Sequence, residues 1–198
     1  MGFRSKRWFV GALGSVVAAG ALLSACTRPV ARAYPPPPDI SVWMTGDSLA
    51  SGTSVDMVPR PFAAVSQAAG FTEFAPTRVV DTITSAIAAH GAPDTLLVMA
   101  GVGDTPVATT EQSIAGMEAF VQAMEPYGMR IIWIAEPGYA LAAKLEPLSQ
   151  WMFTQPESVD CRVYKGVSTD GVHPVDYGPF ASCVNAELAK MGVEFTVP

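Results

Sequence analysis

An α/β domain built on a doubly wound, largely parallel sheet is predicted by three observations. From Ile40 onward, apolar runs of strand length alternate with helix-like patterns. The two strongest runs, residues 95–100 and 129–135, are apolar almost throughout, as in strands buried on both faces. Polar segments carrying glycine and aspartate fall directly after such runs, at the strand ends where these sheets place their ligand crevice.

The elements follow in order. Ile40-Ser41-Val42-Trp43-Met44 reads as the first strand, ending at Thr45-Gly46, with a strand-to-helix turn at Ser48. Residues 61–69 read as a helix stopped by Gly70. Arg78-Val79-Val80 reads as a short strand, and residues 82–89 as a helix closed by His90-Gly91. His90 there is a helix-end histidine placed to meet the last carbonyls. The run Thr95-Leu96-Leu97-Val98-Met99-Ala100 is a strand between Pro93-Asp94 and Gly101. Residues 111–125 form a helix ended by Pro126 and Gly128, and residues 129–135 a strand ended by Glu136-Pro137-Gly138. Residues 141–153 are helical with an interruption at Pro147. Arg162-Val163-Tyr164 reads as the last short strand, and residues 176–191 as a final helix with Pro179 in its first turn. Trp43, Trp133, Met99 and Met129 lie in strand-like runs and read as core.

The N-terminus reads as an export signal rather than as part of the fold. Arg4, Lys6 and Arg7 precede an apolar run from Trp8 to Leu23, followed by Leu23-Ser24-Ala25-Cys26. At about 16 residues the run is short of the roughly 20 needed to span a bilayer, which disfavours a retained transmembrane anchor. The cysteine after small residues resembles a bacterial lipobox. That resemblance implies a lipoprotein signal peptide over residues 1–25, lipidation of Cys26, and residence outside the cytoplasm on the membrane or cell envelope. Residues 26–39 then form a proline-rich linker, with Pro35-Pro36-Pro37-Pro38 favouring extended polyproline II. At about 3.1 Å per residue it could hold the domain roughly 40 Å from the membrane.

Of 12 Lys and Arg, three lie in residues 1–25, which contain no Asp or Glu; the mature chain therefore carries 9 basic and 18 acidic residues. Such an acidic chain has no electrostatic footprint for nucleic acid, so membrane association would rest on the acyl anchor. The length suits one domain, residues 40–198, read as a monomer. After Cys26 the only cysteines are Cys161 and Cys183. In an oxidising compartment such a pair reads as a disulfide, the alternative being two buried thiols. The bridge would close a loop of about 22 residues, worth roughly 3 kcal/mol in the chain-entropy model. Two distant histidines and two cysteines show no metal-ligand spacing, and no cofactor motif is present. Gly101 and Gly103 do not extend to a Gly-x-Gly-x-x-Gly fingerprint.

The chemistry concentrates in two segments, Gly46-Asp47-Ser48-Leu49 and Asp170-Gly171-Val172-His173-Pro174. Serine is a weak nucleophile without a base, and the chain has only two histidines, so His173 is the evident partner of Ser48. Asp170, three residues earlier, can meet the imidazole Nδ1 and fix its tautomer. Ser48 at the start of a helix would also offer its backbone N–H to a developing oxyanion. Asp47 reads as a turn-shaping residue and Asp104 as a brace for its loop.

Those two segments resemble the nucleophile block and the DxxH block of the SGNH/GDSL hydrolases, and Asp176-Tyr177-Gly178 continues the likeness. The resemblance spans residues 40–191 in order and spacing. It implies a flavodoxin-like three-layer sandwich with a central parallel sheet, and acyl-ester chemistry with Ser48, His173 and Asp170 as triad. It implies an exported serine esterase acting on an ester-bearing small molecule, lipid or envelope glycan. An O-acyltransferase, or a binding lipoprotein with a decayed cleft, are the alternatives. Gly70 is the glycine that corresponds to the family's second oxyanion donor. The third block departs from Gly-x-Asn-Asp: Gly101-Val102-Gly103-Asp104 places Gly103 where an asparagine amide would donate. The Gly103 N–H or Thr105 could stand in for that amide, or the enzyme could be slow. Losing one such donor costs about 10²- to 10³-fold in kcat.

Overall fold

The computed structural model describes residues 40–137, 139–163 and 170–195. The expected signal segment, Cys26 and the proline run lie outside the described residues, as does Tyr164. The chain runs β1 (Val42–Gly46), α1 (Ser48–Asp56), β2 (Phe62–Val65), β3 (Ala69–Gly70), β4 (Thr77–Arg78), α2 (Val79–His90) and β5 (Thr95–Met99). It continues through α3 (Thr110–Met124), a 3₁₀ turn (Glu125–Tyr127), β6 (Arg130–Ala135), a second 3₁₀ turn (Tyr139–Leu141), α4 (Ala142–Met152), β7 (Ser158–Asp160) and α5 (Gly178–Lys190).

The main sheet has the order β2-β1-β5-β6-β7, and every neighbouring pair is parallel. This is the flavodoxin-like order, with the strand direction of travel reversing between β1 and β5. A two-stranded parallel ribbon, β3-β4, sits apart from it. Strand side chains alternate between faces, which explains the uniformly apolar runs. Leu96, Val98 and Trp133 pack in one layer with Ile83 of α2, Phe120 of α3 and Leu148 of α4. Leu97, Met99, Ile132 and Ile134 pack in the other with Leu49 of α1 and Phe180, Val184 and Leu188 of α5. The result is a three-layer sandwich.

Helix starts follow local chemistry. Thr109 caps α3 in a reciprocal capping box with Gln112. Pro179 stands in the first turn of α5, where a missing N–H costs nothing. The Cys161–Cys183 disulfide joins the residue after β7 to α5, with Cα atoms 5.9 Å apart.

Three expected elements are corrected. Residues 61–69 do not form a helix; β2 takes their place, registering Phe62–Val65 against Trp43–Gly46. Helix-favouring alanines yield there to alternating burial and a parallel partner. At residues 78–80 strand character stops at Arg78, because Val79 is fully buried as the first residue of α2. The last strand is Ser158–Asp160 rather than 162–164. Val159 enters the core beside Ile134, whereas Arg162 turns outward to pair with Asp160 and Glu146. The interruption expected at Pro147 is absent, and α4 runs through it.

Candidate active site

β1 ends in a tight crossing that only glycine allows. Gly46 has φ +149°, and a Cβ there would lie 1.7 Å from the Met99 carbonyl oxygen. The Asp47 N–H donates to that same carbonyl at 3.3 Å, and the Gly46 carbonyl accepts the Ser66 N–H at 3.0 Å. Asp47 then caps α1, its carboxylate accepting the Leu49 N–H at 2.9 Å. This places Ser48 as the first residue of α1, between β1 and β5. Its backbone N–H meets no acceptor among the described residues, as befits a first-turn donor.

The 170–173 turn closes on Ser48 from 125 residues away. Asp170 Oδ1 accepts the N–H groups of Val172 at 2.9 Å and His173 at 3.0 Å, which fixes the turn. Asp170 Oδ2 lies 2.6 Å from His173 Nδ1, and His173 Nε2 lies 2.7 Å from Ser48 Oγ. A carboxylate only accepts, so Nδ1 carries the imidazole hydrogen and Nε2 is free to accept the serine proton. The structure therefore brings all three residues of the expected triad into one chain of hydrogen bonds. The site is open to solvent, with the His173 and Asp170 side chains 32% and 53% exposed.

Around Gly103, where the resemblance implies an asparagine donor, the backbone is closely packed. A Cβ on Gly103 would fall 2.3 Å from the Ala68 oxygen and 2.4 Å from the Ala69 oxygen. The backbone ahead of Gly70 thus fills the space a side chain at 103 would need. Gly70 in turn packs on the Asp104 carboxyl, where a Cβ would lie 2.6 Å from Cγ. Asp104 is fully buried and braces the loop as expected, accepting from Phe71 N at 2.7 Å, Thr72 N at 3.1 Å and Thr72 Oγ1 at 2.6 Å. Thr105 is not an available donor, since its hydroxyl bonds the Val102 carbonyl at 2.9 Å and its N–H the same group at 3.2 Å. The Gly103 N–H has no acceptor among the described residues.

His90 stands apart from this site. It closes α2 as expected, with its ring against Trp43 and Phe62. Two features escaped the sequence reading. Tyr177 lies directly on Gly52 of α1, where a Cβ would come within 2.2 Å of its ring. Burial first, then the Asp47 and Asp170 charges, push its phenol up to about 12. Glu136, the residue after β6, is 3% exposed beside Asp47. A lone acid flush against an apolar strand was the signal for it.

No family model and no curated protein sequence matches the chain. Solved structures do. A carbohydrate acetylesterase from Sinorhizobium meliloti superimposes with a TM-score of 0.63 at 16% identity, over 76% of this chain and 98% of its own. A carbohydrate esterase family 3 member from Talaromyces cellulolyticus gives 0.59 at 15% identity, over 77% and 99%. An inhibitor-bound aryl esterase from M. smegmatis gives 0.54 at 17% identity, over 74% and 99%. A GDSL-like lipase from Bacteroides thetaiotaomicron is also similar, at 0.55 and 10% identity over 76% and 88%. The chain shares the overall fold of these proteins.

Proposed function

We propose that the protein is a serine esterase that cleaves acyl esters through an acyl-enzyme on Ser48. The observation that carries this reading is the continuous bond path Ser48 Oγ to His173 Nε2 at 2.7 Å and His173 Nδ1 to Asp170 Oδ2 at 2.6 Å. His173 takes the serine proton as Oγ attacks the ester carbonyl, and Asp170 holds the imidazolium that forms. His173 then gives that proton to the leaving alcohol. Water, activated by the same imidazole, releases the acid and frees Ser48. Ser48 N–H, Gly70 and Gly103 are the proposed oxyanion donors, with backbone amides replacing the asparagine side chain. Loss of that amide also makes a modest turnover number part of the reading.

The substrate we infer is a small O-acyl ester on a sugar. Support comes from the carbohydrate esterases among the similar structures and from the exposure of His173 and Asp170, which admits a bulky alcohol half. The lipobox-like Cys26 and the proline run support a lipid-anchored location at the cell envelope, where such glycans occur.

The test is hydrolysis of p-nitrophenyl acetate by the full chain beside Ser48→Ala. The wild type should turn over, and Ser48→Ala should fall by about 10⁴-fold or more, to background. Equal rates for the two would remove the esterase reading and leave the cleft as a binding site. Adding a glycan acceptor and finding acylated sugar in place of free acetate would move the reaction from hydrolysis to acyl transfer.

A further inference from the structure

Two carboxyl groups beneath the nucleophile take no part in the proton path from Ser48 to Asp170. Asp47 is fully buried and Glu136 is 3% exposed. Asp47 Oδ1 is committed to the Leu49 N–H. Asp47 Oδ2 and both carboxyl oxygens of Glu136 have no N–H or O–H donor in hydrogen-bonding geometry. The two side chains sit over the same strand end: the Asp47 N–H donates to the Met99 carbonyl that closes β5, and Glu136 Oε2 faces Gly101 two residues on. Two carboxylates are both acceptors, so a bond between them requires that one carry a proton.

We propose that Asp47 and Glu136 share a single proton, Glu136 donating its O–H to the Asp47 carboxylate, and that this bond makes Glu136 a positioning residue for Ser48. Asp47 is both the cap of α1 and the residue before Ser48, so it sets where the Ser48 hydroxyl and N–H point. Glu136 is the first residue beyond β6, and its Oε2 lies 3.3 Å from where a Cβ on Gly101 would stand. The bond thus ties the nucleophile turn to the ends of β5 and β6. It also answers two of the three otherwise orphaned oxygens with one hydrogen, the economical solution for like acids in contact in a dry interior.

The choice of donor follows from the surroundings. Burial raises the Asp47 carboxyl above its ordinary value, while the Leu49 N–H opposes this. Glu136 is pushed well above its ordinary value, by burial first and then by the charges of Asp47 and Asp104. Asp104 from the loop after β5 and Tyr177 ahead of α5 also face the pair, with His173 bonded to the adjacent Ser48. Neither Asp104 nor Tyr177 supplies positive charge, and Glu136, unlike Asp47, accepts no N–H, so Glu136 keeps the proton.

A carboxyl raised in the folded state binds more protons there than in the unfolded chain. Its stabilising protonation is fully present below the ordinary glutamate value and is lost as pH climbs toward the raised one. The experiment uses the full chain as wild type, Glu136→Gln and Glu136→Leu. The wild type at about pH 7 should show an infrared C=O band of a protonated carboxyl that Glu136→Gln lacks, and its Tm should drop more between about pH 5 and about pH 9 than that of Glu136→Gln. With p-nitrophenyl acetate, Glu136→Leu should lose about 10- to 10²-fold in kcat with KM little changed. Glu136→Gln, whose amide can donate to Asp47, should recover most of that loss. Absence of the band from the wild type, its persistence in Glu136→Gln, or a Glu136→Gln no better than Glu136→Leu would overturn the proposal. The catalytic consequence rests on the esterase reading, whereas band and melting can be read equally in Ser48→Ala. An inactive wild type that keeps the band would therefore sink the esterase reading and leave the shared proton standing.

Discussion

At position 103 a side chain has nowhere to go. Two backbone oxygens, of Ala68 and Ala69, stand within 2.4 Å of the place a Cβ would occupy. A glycine that reads from the sequence as a lost donor is, in three dimensions, the condition for the 66–70 segment to close against the loop after β5. Placing there the asparagine that the resemblance implies should therefore not improve the proposed esterase. Gly103→Asn is predicted to cost about 2 kcal/mol or more through overpacking, and to lower rather than raise kcat on p-nitrophenyl acetate. Thermal unfolding and steady-state kinetics check both halves. A Gly103→Asn protein with unchanged Tm and higher kcat would show that the space is open and the amide was simply missing. The triad residues were legible because their chemistry is scarce: with two histidines in the chain, His173 had no rival as partner of Ser48. Glu136 and Gly103 were not, because their meaning depends on which backbone lies across from them.

Among the elements, α1 and the segment leading into α5 are joined by an unusually close contact. Gly52 stands one turn beyond Ser48, and the Tyr177 ring covers it so closely that a Cβ would lie 2.2–2.6 Å from three ring atoms. Tyr177 follows His173 by four residues, so the ring registers the base-bearing turn on the nucleophile helix. Gly52→Ala should separate stability from activity. Alanine in a helix interior is favoured over glycine by about 0.5–1 kcal/mol, which offsets much of the cost of moving the ring. The expectation is a Tm within a few degrees of wild type and a kcat about 10-fold or more lower, as a displaced imidazole loses its line to Ser48. An unchanged kcat would show that the contact does not set the base. Elements with a continuous apolar run, such as β5 and β6, were legible to within a residue or two. β2 was not, because Phe62-Ala63-Ala64-Val65 is as acceptable to a helix as to a strand, and its hydrogen bonds come from β1, twenty residues away in sequence. β7 escaped for a related reason: three residues carry too little pattern to declare themselves.

For the molecule as a whole, the sheet order explains why distant segments meet. Strand ends after β1 and β5 diverge at the point where the winding changes direction, and the turn before α5 folds over that opening. The disulfide between Cys161 and Cys183 closes the chain segment that contains Asp170 and His173, limiting how far the base can wander from the serine. Fold class and the polar edge were both readable from alternation and loop position, since these depend on local sequence. The openness of the site and the close backbone packing at Gly103 were not, since they depend on tertiary packing. The central claim is that Ser48 is a nucleophile activated by His173. Treating the full chain with a fluorophosphonate and weighing the intact protein tests it most directly. The account predicts one phosphonyl adduct, located on the peptide that contains Ser48, and none on Ser48→Ala or His173→Ala; an unlabelled wild type, or equal labelling of Ser48→Ala, would contradict it.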